Sequence, residues 1–204
     1  MLTMFPTRLF ASYGCALLTA ASPAFADGNH ALHQSGAVLS PADPAKPVDF
    51  DILAAHAHRQ GNNVTFHMTT AGTAGAATPE ATGALGGSAV WSYVWPTSLD
   101  PSAVGFESGS GILALAATSH PDFDDTPLID ENRDGDPAND GVEWHSHWVV
   151  LTANEACGSG ALAVRDIPEG SSPKLPATWP GLPLFLDSPG FTPLRDGPEI
   201  SVTV

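Results

Sequence analysis

Glycine and proline interrupt this chain so often that no long helix fits into it. Twenty glycines and 19 prolines are spread through 204 residues, and each weakens or breaks a helix. The apolar runs left between them have the length and period of strands. From Asp49 the alternation is explicit, with Phe50, Ile52 and Ala54 on one side and Asp49 and Asp51 on the other. This run continues through HAHR to a turn at QGNN and returns as VTFHMTT, a hairpin pattern. AVWSYVW and GILALAAT are apolar on both faces, as central strands are. WHSHWVVLT, ALAVRDI and EISVTV complete the set. AGTAGAATPEATGALGG reads as a loop, and PTSLDPSAVGF as a short helix starting near Ser98 or Asp100. Pro168 to Pro198 reads as an irregular wrap anchored by Trp179 and Phe185. The expected fold is mainly β, an antiparallel β-sandwich of about six to eight short strands with long Gly/Pro-rich loops.

Residues 1–26 carry one charge, Arg8, then an apolar run from Leu9 to Ala21 and small residues at Ala24 and Ala26. That is the pattern of a secretory signal peptide cut after Ala26. The run is too short to span a bilayer, and no later stretch reaches the roughly 20 apolar residues that a membrane helix needs. The expected location is periplasmic or secreted, without membrane insertion. Residues 27–47, with His30 and His33, would form a flexible arm, and residues 48–204 a single β-sandwich domain.

All 22 acidic residues lie beyond the cut, and the loss of Arg8 moves the formal charge from −15 to −16. A surface this negative repels nucleic acid and anionic lipid and attracts cations. Cys157 would be the only cysteine remaining, which excludes an internal disulfide and leaves an idle thiol or, less simply, a metal ligand.

Two patterns point to metal. Asp130, Asn132 and Asp134 alternate ahead of Gly135 and Asp136, the D-x-N-x-D-G opening of a calcium loop, in which oxygen side chains converge on one ion and glycine permits the turn. Position twelve is Gly141 where an EF-hand has glutamate, so Asp140 or Glu143 would have to close the site. The second pattern is histidine. His56 with His58, and His145 with His147, form H-x-H pairs, and on a strand residues i and i+2 project from one face. Imidazole suits zinc and copper.

Whether His67 joins the first pair depends on hairpin register. A two- or four-residue turn centred on Gly61 and Asn62 places His56 opposite His67 and gathers three histidines on one face; a three-residue turn turns His67 away but keeps Phe50, Ile52, Val64, Phe66 and Met68 together. A bulge near Arg59 or Gln60 would reconcile the two demands. His120, in SHPDFDD, reads as a solvated turn residue or part of an ancillary site.

The H-x-H strands and the D-x-N-x-D-G loop resemble those of secreted bacterial metal-binding proteins, the histidine-rich β-sandwich metallochaperones and buffers of zinc and copper. The resemblance covers the signal segment and three short motifs. It implies a protein that takes up zinc or copper through His56, His58, His67, His145 and His147. A transporter or recipient metalloprotein would then be its partner. Copper/zinc superoxide dismutases also carry an H-x-H on a sandwich strand, but their G-x-H-x-H surroundings are absent and Cys157 has no partner for their disulfide. Other readings remain: a haem sandwich ligated by Met68, a zinc enzyme using Glu143 as acid or base, and an adhesive sandwich holding calcium alone. The sequence contains no H-E-x-x-H, G-x-S-x-G, phosphate loop or C-x-x-C-H, so a binding protein is expected rather than an enzyme.

Overall fold

The structure, a computed structural model, describes residues 36–126, 129–179 and 181–204. The expected signal segment, His30 and His33 lie outside these residues. Ten strands form among the described residues: β1 (Val38–Leu39), β2 (Ile52–Gln60), β3 (Asn63–Thr70), β4 (Trp91–Pro96), β5 (Ile112–Ser119), β6 (His145–Ala153), β7 (Leu162–Val164), β8 (Leu186–Asp187), β9 (Leu194–Asp196) and β10 (Glu199–Thr203). Strand makes up 34% and helix 6%, so the fold is mainly β as the glycine and proline pattern requires. The first sheet runs β1-β2-β3-β10-β9; the second runs β4-β5-β6-β7, with β8 also paired to β6. Every ladder is antiparallel.

Strand alternation builds two cores. Phe66, Met68, Ile200 and Val202 of the first sheet meet Tyr93, Trp95, Leu113, Leu115, Trp148 and Val150 of the second, which makes the interior of the sandwich. The opposite side of the second sheet is apolar as well: Ala114, Ala116, Val149 and Leu151 pack with Leu186, Leu184 and Trp179 from the proline-rich wrap. This cover explains why β5 and β6 are apolar on both faces. It is held by β8 and by a hydrogen bond from Ser146 Oγ to the Phe191 carbonyl. Phe185 is buried in the main core as its anchor. The short helix expected after Pro96 is a single 3-10 turn, Pro101–Val104, capped by Asp100.

Three local expectations are corrected, and the open hairpin register is resolved. Residues 36–47 belong to the domain instead of a free arm: β1 pairs with β2, and the Asp43 amide donates to buried Asp51 at 2.8 Å. The β2–β3 hairpin takes the two-residue turn, with Gly61 at a φ of 64°, so His56 faces His67 and His58 faces Thr65. The bulge that reconciles this register with the core lies at the far end, between Ile52 and Ala54, not near Arg59 or Gln60. It returns Ile52 to the interior while the histidines stay outside. Cys157 ends the 3-10 turn Glu155–Cys157 and is not a free thiol.

The loop after β3 is pinned by buried polar bonds. Tyr93 Oη accepts from the Gly75 amide at 2.8 Å and donates to the Asp49 carbonyl at 2.7 Å, while Trp144 Nε1 donates to the Gly75 carbonyl at 3.1 Å. Tyr93→Phe leaves the Gly75 amide without an acceptor and is expected to lower unfolding free energy by about 1–3 kcal/mol. Urea denaturation of the two proteins measures the difference; a loss below about 0.5 kcal/mol would show that the loop is held by packing alone.

Candidate metal centre

His145 and His147 open β6, and the pleat points both rings to the covered outer side of the second sheet, with Val149 and Leu151. His145 stands opposite Thr118 and His147 opposite Ala116, small neighbours that leave room for imidazole. The same parity runs from Ala114 through Ala116 and Thr118 to His120, one residue past β5, whose amide donates to the Gly141 carbonyl at 2.7 Å. The chain then turns back and delivers Asp125. None of these four side chains is more than 3% exposed.

Their atoms converge. Nε2 of His145, His120 and His147 lies 3.1, 3.2 and 3.3 Å from one oxygen, Oδ1 of Asp125. Nε2 of His120 and Nε2 of His145 are 2.8 Å apart. The far sides of the rings decide what these nitrogens are. His145 Nδ1 lies 2.7 Å from the Glu143 carbonyl and His120 Nδ1 lies 2.9 Å from the Phe123 carbonyl. A carbonyl only accepts, so both Nδ1 atoms donate and each neutral ring turns a bare Nε2 lone pair inward. Ser188 Oγ lies 2.9 Å from His147 Nδ1. Lone pairs facing one another and a carboxylate repel, and a cation among them turns that repulsion into ligation.

Asp125 Oδ1 and His147 Nε2 are buried without a hydrogen-bond partner, at about 1–3 kcal/mol for each such group. A tetrahedral zinc with bonds of about 2.0–2.1 Å separates its ligands by about 3.3 Å, close to the three oxygen–nitrogen distances here. The carbonyls behind His120 and His145 are the outer support that such ligands need.

The electrostatics agree with a ligand set ready for metal. Burial pulls the His147 pKa down to about 3; Asp125 opposes the shift, and His145 and His120 add to it. Burial disfavours the ionised form of Asp125, yet the three imidazoles hold its carboxyl well below the usual carboxylate range. His145 is lowered by burial but raised overall by Asp125, the Glu143 carbonyl and Glu131. A neutral imidazole at His147 and an ionised carboxylate at Asp125 are the forms that bind metal.

The five histidines expected to share one ion are divided between opposite sides of the sandwich. His56, His58 and His67 lie together on the outer face of the first sheet, with ligand atoms within 4.8 Å of one another. His56 and His67 stack at 4.6 Å and 8°, and His67 Nε2 lies 3.2 Å from His58 Nδ1. This trio is open to solvent, with His58 exposed. Burial, then the neighbouring His56 and His58, lowers the His67 pKa. Met68, the haem candidate, is instead buried in the main core, and Cys157 joins neither histidine group.

His120 and Asp125 were not expected as partners of the H-x-H pair, and His120 is buried rather than solvated. The strand parity through Ala116 and Thr118 is a signal for His120, but it needs the β5–β6 register to be read. Asp125 carries no signal of its own among the many acids.

The D-x-N-x-D-G residues build a turn held by their own side chains. Asp130 accepts from the amides of Asp134 and Gly135, Asn132 from the amide of Asp134, and Asp134 from the amide of Asp136. Asp136 accepts from the Ala138 amide. Asp140 is buried away from these residues, beside Asp124 and Glu131. Glu143 serves the histidine centre through its carbonyl. No protein-family model matches the chain, and neither a curated protein nor a solved structure shows a match to it.

Two outcomes test the centre. His147 has a depressed pKa, so between about 3 and 6.5 the unfolded chain binds a proton that the folded chain refuses. Metal-free stability should therefore fall as pH drops from 6.5 towards 4, and His147→Gln should flatten that slope in chelator-treated protein. His145, being raised, contributes in the other window, where its stability is lost as pH climbs above 6.5. Second, a methyl group at Gly141 would overlap the Phe123 and His120 carbonyl oxygens. Gly141→Ala should displace the carbonyl behind His120 and weaken zinc affinity by about 10- to 100-fold; unchanged affinity in a competition assay would remove that carbonyl from the design.

Proposed function

We propose that this protein is an exported zinc- or copper-binding protein that carries or buffers the metal, without catalysis of its own. The observation that carries the reading is the meeting of three imidazole Nε2 atoms with one buried oxygen of Asp125. Histidine nitrogen with a single carboxylate favours zinc or copper over calcium or magnesium. Four protein ligands close the coordination sphere of zinc, whereas a catalytic zinc keeps a position open for water. The export reading rests on the residue pattern of positions 1–26 and on the absence, among the described residues, of any helix long and apolar enough to cross a membrane.

The exposed trio His56, His58 and His67 supports the carrier part of the reading. It offers fewer ligands on an open face, where a transporter or recipient metalloprotein can reach the ion. Deep burial of the other centre favours a second reading, in which its ion only stabilises the sandwich.

Chelator-stripped protein titrated at neutral pH should take up one zinc or copper tightly and a second more weakly. His145→Gln with His147→Gln should abolish the tight event, and replacing His56, His58 and His67 by alanine should remove only the weak one. Wild-type stoichiometry and affinity in the His145/His147 variant would falsify the proposed centre. Zinc transfer to a competing chelator decides between carriage and structure: carriage requires it to slow when the exposed trio is removed.

A further inference from the structure

Next to the histidine centre, Asp124, Glu131 and Asp140 bring one carboxylate oxygen each within 4.8 Å of one another. Asp124 and Glu131 are half-buried, and Asp140 is fully buried. Several of their oxygens have donors. Asp124 Oδ1 accepts from the Thr126 amide, and its Oδ2 accepts from the Asp140 amide at 3.0 Å. Glu131 Oε1 accepts from the Thr126 hydroxyl at 2.7 Å, and Asp140 Oδ2 from the Glu131 amide at 2.8 Å. Two oxygens remain: Glu131 Oε2 and Asp140 Oδ1 are both buried and have no hydrogen-bond partner. A fully buried aspartate with a bare oxygen, set against two further acids, is relieved by a cation or a shared proton between them.

We infer that Asp124, Glu131 and Asp140 hold a hard divalent cation, calcium, at the base of the loop that delivers Asp125. All three side chains offer oxygen, the donor that calcium prefers and that zinc or copper does not require. Glu131 Oε2 and Asp140 Oδ1 are the two bare oxygens for such an ion, Asp124 stands beside them, and the half-buried side leaves access for the waters that complete a calcium shell. Among the described residues, the segment between β5 and β6 contains no helix or strand. A cation here ties its outgoing arm, at Asp124, to its returning arm, at Asp140. The site uses no histidine and shares only Asp140 with the ligands that the D-x-N-x-D-G motif suggested.

The test is a calcium titration by calorimetry of zinc-saturated protein, so that the histidine centre is held constant. One calcium per chain is expected. Glu131→Gln and Asp140→Asn should each weaken it at least tenfold, while Asp130→Asn and Asp134→Asn stay near wild type and all four variants still bind zinc. No calcium uptake by the wild-type protein, or unchanged affinity in Glu131→Gln, overturns the inference. Loss in Asp130→Asn and Asp134→Asn with retention in Glu131→Gln also overturns it and assigns the ion to the loop motif. Glu131 is half-buried, so Glu131→Gln decides the question if Asp140→Asn does not fold.

Discussion

Three imidazole nitrogens and one carboxylate oxygen meet in a space closed to water, and the surrounding architecture answers to that meeting. Ionised Asp125 in a buried position is costly unless opposite charge lies beside it, by several kcal/mol for an unpaired ion. The wrap from Pro168 onward excludes water from the outer side of the second sheet, and Ser188 within it reaches the back of His147. Alanine at 116 and glycine at 141 leave space where larger residues would push the rings or their carbonyls aside. Closure and charge balance go together: without the cover the carboxylate would be solvated, and beneath it the lone pairs need a cation or a proton between them.

The sandwich also separates two chemistries that one residue type could have served. On the outer face of the first sheet His56, His58 and His67 stack in partial contact with solvent, with threonine and serine as neighbours. On the outer face of the second sheet, His145 and His147 are enclosed and joined by His120 and Asp125. The main core lies between them, so one ion cannot be shared by both groups. An enclosed four-ligand centre would retain an ion, and an open three-ligand face would exchange one more readily. The bulge between Ile52 and Ala54 makes the exposed group possible, because it lets the end of β2 enter the core while the H-x-H stays outside.

Much of the fold was legible in the chain. Glycine and proline spacing, with period-two alternation, gave the mainly-β class and located β2 to β7 and β10; the four strands of two or three residues include β1, β8 and β9, which no periodicity announces. The hairpin histidines were legible as alternatives, and the turn at Gly61 and Asn62 resolved them. The calcium motif was visible in the sequence, and its Asp130, Asn132 and Asp134 oxygens accept from neighbouring amides, whereas Asp124 and Glu131 stood outside any pattern.

By itself the sequence determined that strands would form, that H-x-H would place two rings on one face, and that an acidic chain would favour cations. These are local consequences of steric limits, pleat and charge. Tertiary structure alone decided which histidines meet. Register carries His120 beside His145, a turn of five residues brings Asp125 under both, and the wrap from Pro168 onward, whose Ser188 reaches His147 from 41 residues away, seals them. Ligand sets of this kind depend on distances between separate segments, and those distances are fixed by packing, which no short stretch of sequence contains.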